Sequence, residues 1–129
     1  MKRSTTKAQI FCIALILIAS FSFAQQITFD YVCPAPGSKY LNPEQNIILN
    51  TSASFDQDVL SDAYFNIRGS KSGINNFELL LSEDRRTLLI NPTQKFRLDE
   101  EIFVIVDGLQ TANGRIIQRI DLNFFIKEK

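Results

Sequence analysis

Six short apolar runs, each closed by turn-forming residues, recur roughly every ten residues through this chain. They span residues 46–49, 64–67, 77–81, 87–90, 102–106 and 119–126. The intervening stretches include Asn50-Thr51-Ser52, Gly69-Ser70, Ser82-Glu83-Asp84, Asn91-Pro92 and Asp107-Gly108. Runs this short, spaced this evenly and separated by glycine, asparagine and proline, are the pattern of an all-β sandwich or barrel. A further run, Ile27, Phe29 and Tyr31 alternating with Thr28 and Asp30, adds a lead-in strand and brings the expected total to about seven. Pro34, Pro36 and Gly37 end that lead-in. Nowhere after residue 24 does a 3.6-residue apolar period persist for three turns. The best helical candidate, residues 56–63, offers one or two turns, with Val59 and Leu60 expected to plug an end of the sandwich and Asp58 to cap a turn starting at Val59.

The first 24 residues read as a targeting segment rather than as part of the fold. Lys2, Arg3 and Lys7 precede an apolar run over residues 10–23, interrupted only by Ser20 and Ser22. Ser22-Phe23-Ala24 then puts small residues where signal peptidase needs them, so cleavage is expected after Ala24, with Gln25 the first mature residue. A membrane anchor is the alternative, but a span typically needs about 20 apolar residues. No membrane insertion is therefore expected after cleavage. Cys12 lies inside the apolar run rather than at its end, which argues against a lipid-modified terminus. The chain thus divides into a signal peptide over 1–24, a lead-in and linker over 25–36 and a β-sandwich domain over 37–129. It is expected to be secreted or held at the cell surface.

Composition narrows the chemistry. The signal carries three of the fourteen basic residues and none of the fourteen acidic ones, leaving a mature net charge of −3. No long-range field attracts nucleic acid or anionic lipid. With no histidine, Ser-His-Asp, Cys-His and His-metal arrangements are excluded together. No catalytic, cofactor-binding or metal-binding residue is assigned. Cys33 is the sole mature cysteine, so it forms no intramolecular disulfide; an inert thiol is favoured over an intermolecular cross-link.

Two acidic groups invite a closer reading. Asp56, Asp58 and Asp62 fall within seven positions, a density calcium sites use, but without the glycine and closing glutamate of an EF-hand. A solvated loop is the expectation. Asp99, Glu100 and Glu101 are adjacent like charges and are expected to be exposed. Arg85 and Arg86 beside Glu83 and Asp84 read as a charged turn, and Asp30, Arg68 and Arg119 as solvent-facing positions. Asn113-Gly114 is expected to turn the chain between the last two strands. Eight mature phenylalanines without tryptophan read as core.

The order of motifs from Cys33 to about Lys127 resembles the bacterial Ig-like domain of the S-layer SbsA type. The landmarks are Pro34-Ala35-Pro36-Gly37-Ser38, the phenylalanine opening Phe55-Asp56-Gln57-Asp58, and Phe65-Asn66-Ile67-Arg68-Gly69-Ser70-Lys71-Ser72-Gly73. Glu83-Asp84-Arg85-Arg86-Thr87-Leu88 up to Pro92 and Phe96 followed by Glu101-Ile102-Phe103-Val104-Ile105-Val106 complete them. The glycine usual before that last strand is replaced by Asp99 or Glu100. The resemblance implies an immunoglobulin-like sandwich without catalytic residues that spaces or displays other domains of a larger surface protein. The alternative is a binding or adhesion module that recognises carbohydrate or protein through loops or a strand edge. In isolation the chain is expected to be monomeric at micromolar concentration, its last strand, residues 120–126, forming an edge guarded by Lys127, Glu128 and Lys129.

Overall fold

A computed structural model describes residues 27–127. The expected signal peptide, its expected cleavage site and Cys12 lie outside the described residues. Two sheets face one another. One is wholly antiparallel and contains β1 (Tyr31–Cys33), β3 (Ile47–Asn50), β7 (Thr87–Pro92) and β6 (Phe77–Leu81), in that spatial order. The other runs β2 (Ser38–Leu41), β9 (Ile120–Ile126), β8 (Glu100–Val106), β4 (Phe65–Gly69) and β5 (Gly73–Ile74). Only the β2–β9 pairing in it is parallel. This is an all-β, immunoglobulin-like sandwich with nine strands among the described residues.

Side-chain alternation builds the core. Phe65 and Ile67 on β4, Ile102, Val104 and Val106 on β8, and Leu122, Phe124 and Ile126 on β9 are buried. They meet Ile47, Leu49, Leu88 and Ile90 from the opposing sheet, while Phe55, Phe96, Leu109 and Ile117 close the ends. Fully burying each such side chain contributes roughly 1.5–3 kcal/mol, so the two inner faces dominate stability. Phe96 packs edge-on against Phe124 at 5.9 Å, and Phe65 against Phe77 at the same separation.

The structure moves several boundaries. The lead-in strand is displaced: Ile27 makes only a single bridge to Ile117, and the continuous ladder falls on Tyr31–Cys33 against β3. Residues 38–41 and 73–74, neither of them among the expected strands, form β2 and β5. The helical candidate is two single 3-10 turns, Gln57–Val59 and Asp62–Tyr64. Asp56, not Asp58, caps the first by accepting from the Asp58 N–H at 3.0 Å, and Ser61 caps the second. Leu60 packs on the core as expected, whereas Val59 is exposed.

The largest correction concerns the edges. β9 is internal, paired to β8 on one side and β2 on the other. The free edges are β1, β6, β2 and β5. The ground for treating residues 120–126 as an edge guarded by the charged tail therefore falls.

Candidate functional site

The one charged side chain buried among the described residues is Glu100, 1% exposed at the start of β8. The expectation that Asp99, Glu100 and Glu101 would all be exposed fails for it. The reason is parity: Glu100 shares the inward face of β8 with Ile102, Val104 and Val106. Both of its carboxylate oxygens are engaged. Oε1 accepts from the Lys71 N–H at 3.1 Å, the Ser72 N–H at 2.9 Å and the Ser72 hydroxyl at 2.8 Å. Oε2 accepts from the Arg97 N–H at 2.6 Å. Burial by itself would push the Glu100 pKa up; the hydrogen bonds from Ser72, Arg97 and Lys71 outweigh it and hold the carboxyl below its ordinary range.

The clamp explains the Gly-Ser-Lys-Ser-Gly turn between β4 and β5. A Cβ on Gly69 would stand 2.0 Å from Glu100 Oε1 and 2.1 Å from Ser72 Oγ, so only glycine leaves room for the carboxylate. Gly73, with φ +72°, reverses the chain. Ser72 Oγ passes the network on by accepting from Asn75 Nδ2 at 2.9 Å. Asp99, with φ +59°, occupies the left-handed conformation usually reserved for glycine. A carboxylate held by three backbone N–H groups and one hydroxyl, and 1% exposed, fastens a hairpin to a strand and is closed off from a substrate.

The other acidic group is dispersed. Asp58 and Asp62 are exposed and Asp56 serves as a cap. Among the described residues no three histidine, cysteine, aspartate or glutamate side chains are grouped to hold a metal ion. Arg85 and Arg86 sit in the expected charged turn. Asp84 is held below the ordinary carboxylate range by the Ser82 hydroxyl at 2.6 Å and then by the Arg86 N–H at 3.1 Å. The turn is braced from the 51–55 segment, with Phe55 N–H donating to the Arg85 carbonyl. Asp30, Arg68 and Arg119 all face solvent, Arg119 pairing with Asp121 at 3.2 Å. Asn113-Gly114 lies in a tight turn between β8 and β9, closed by Gly114 N–H on the Thr111 carbonyl. Cys33 is half-buried and free.

The outer face of the five-stranded sheet carries a feature the sequence reading did not single out. Asn66 and Arg68 of β4, Phe103 and Ile105 of β8, and Asp121 and Asn123 of β9 border a shallow concavity of about 610 Å³. Phe103 is 41% exposed there, and Lys39 lies 5.9 Å from the ring centre of nearby Phe125. Six of the eight phenylalanines among the described residues pack in or against the core; these two do not. No helix among the described residues is long and apolar enough to cross a membrane.

No protein-family model matches the chain, and no curated protein matches its sequence. Solved structures do. A crystal structure of the S-layer protein SbsC superposes with a TM-score of 0.60 at 14% identity, over 94% of this chain and 16% of that one. Native alpha-2-macroglobulin from Escherichia coli, spanning domains MG0-NIE-MG1, gives 0.60 at 14% identity, over 86% and 35%. CopC from Methylosinus trichosporium OB3b gives 0.55 at 11%, over 80% and 95%. This chain spans less than a fifth of the S-layer protein it matches. At such identities the likeness is one of fold.

Proposed function

We infer that the chain is a non-catalytic Ig-like module of a secreted or cell-surface protein, of the S-layer SbsA type, whose work is to space or display neighbouring domains. The observation that carries this reading is the use of Glu100: the buried charge is spent on fastening the β4–β5 hairpin, and its oxygens are occupied by the scaffold itself. The fold likeness to an S-layer protein and the order of motifs around Gly69–Gly73 support it. The basic, apolar and Ser-Phe-Ala sequence of residues 1–24 supports export. Its partners are then the adjoining domains of a larger surface protein. In the test, the protein is recovered from cell envelope and medium and its intact mass measured. A mature species beginning at Gln25 is the expected result; a cytoplasmic chain retaining Met1 would overturn the reading. A binding module is the second reading, favoured by the concavity around Phe103, where Arg68, Asn66 and Asn123 surround an exposed ring.

A further inference from the structure

Three of the four sheet edges are blunted and one is not. β1 is three residues long and runs into Pro34. β2 is bulged, with Tyr40 at φ +61°. β5 has two residues, one a glycine. β6 (Phe-Glu-Leu-Leu-Leu) has five residues and carries no proline, lysine or bulge, the devices that usually keep an edge from pairing.

The ladder shows which groups that edge offers. Thr93 N–H donates to Asn76 O, and Ser82 N–H to Thr87 O. Antiparallel bonds alternate along a strand, so Glu78 and Leu80 are the residues bonded to β7, and Phe77, Leu79 and Leu81 direct their N–H and C=O groups outward. The sheet's outer face leads to the same edge. Cys33 pairs with Ile48, Ile48 with Leu89 and Leu89 with Leu80, giving one straight apolar row across all four strands. It ends at Leu80, which is 53% exposed.

We propose that β6 is a self-pairing edge: two copies of this chain join antiparallel through it, with Leu80 opposite Leu80 on the two-fold axis. In this register Leu79 of each copy exchanges hydrogen bonds with Leu81 of the other. The apolar row then continues from Cys33 of one copy to Cys33 of the second across eight strands. Charge selects the same register. A pairing centred on Glu78 sets two carboxylates opposite each other, which is unfavourable, and one centred on Leu79 sets Leu80 against Glu78. Centring on Leu80 brings Glu78 to Ser82 of the second copy, beside the turn that carries Arg85 and Arg86. A five-residue edge covers less surface than the roughly 1,200 Å² of a stable interface. The pairing is therefore weak: monomer at micromolar concentration, dimer near the roughly millimolar effective concentrations of tethered copies. It does not depend on the spacer reading.

The experiment has two arms. Sedimentation velocity on the exported protein at about 1 mM should show reversible dimer, and Leu80→Lys, an exposed substitution that sets two ammonium groups face to face, should abolish it. In a Cys33→Ser background, Leu80→Cys should oxidise to a disulfide dimer at least about tenfold faster than Glu78→Cys, because residues 80 are directly opposed while residues 78 lie about 14 Å apart along the strands. A wild-type chain that stays monomeric at that concentration, a Leu80→Lys variant that still dimerises, or equal cross-linking at the two positions would overturn the proposal. So would an edge that accepts an unrelated extended peptide and never a second copy.

Discussion

Replacing Glu100 tests the idea that one buried carboxylate holds the β4–β5 hairpin to the sheet. In Glu100→Ala, the N–H groups of Lys71, Ser72 and Arg97 and the Ser72 hydroxyl lose their acceptor. Each donor left buried and unpaired costs about 1–3 kcal/mol, and water entering the vacated space recovers part of it. A net loss of about 3–5 kcal/mol is expected, a large share of the roughly 5–15 kcal/mol that holds a domain together. Glu100→Gln should lose about 1–3 kcal/mol, since its amide nitrogen must face an N–H that the carboxylate accepted. The pH dependence carries the sign. The folded-state pKa of Glu100 is lowered, so its contribution is complete above the ordinary glutamate value of about 4.3 and is lost as pH falls through the lower folded value. Urea unfolding between about pH 7 and pH 3 should show wild type losing stability on the acid side more steeply than Glu100→Gln. An alanine variant within about 1 kcal/mol of wild type, or an acid limb unchanged in the glutamine variant, would refute the clamp.

Gly69→Ala should destabilise by about 2–4 kcal/mol, and combined with Glu100→Ala by less than the sum, since the second change removes the carboxylate part of the clash and leaves the Ser72 hydroxyl part; urea unfolding of the double-mutant cycle reads this. Thr51 is 1% exposed and its hydroxyl has no partner among the described residues, so Thr51→Val should raise stability by about 1 kcal/mol in the same assay. Millimolar calcium should leave the thermal midpoint unmoved, because Asp56, Asp58 and Asp62 are not gathered; a rise of several degrees would place a cation there. A chain ending at Ile126 should sediment as the full chain does, because β9 is already paired on both sides.

The strands that fill the core were legible because burial on one face writes a period of two into the sequence. Residues 77–81 were read with the observed bounds, and residues 102–106 and 119–126 to within two residues. β2 and β5 were not legible. Ser38–Leu41 is half exposed and owes its existence to a parallel partner more than eighty residues away, and β5 is two residues of a glycine turn. Edge and interior depend on strand order, which is not local, so β9 was misplaced at an edge and nothing local marked Leu80 as exposed. Glu100 had a usable signal, its shared parity with Ile102, Val104 and Val106, hidden by two acidic neighbours. Apart from Arg97, three positions upstream, its donors Ser72 and Lys71 lie 28 and 29 positions upstream, and no local pattern points to them. The outer-face cluster around Phe103 was equally hidden, since it gathers residues from three strands.

The structural and binding readings diverge most directly in a nitrogen-15 NMR titration of the exported protein with soluble cell-wall saccharides. A spacing module leaves the amides of Asn66, Arg68, Phe103, Ile105, Asp121 and Asn123 unshifted up to about 5 mM saccharide, a concentration that would reveal a millimolar site. Saturable shifts confined to those residues, and lost in Phe103→Ala, would contradict it and make the five-stranded face a binding surface.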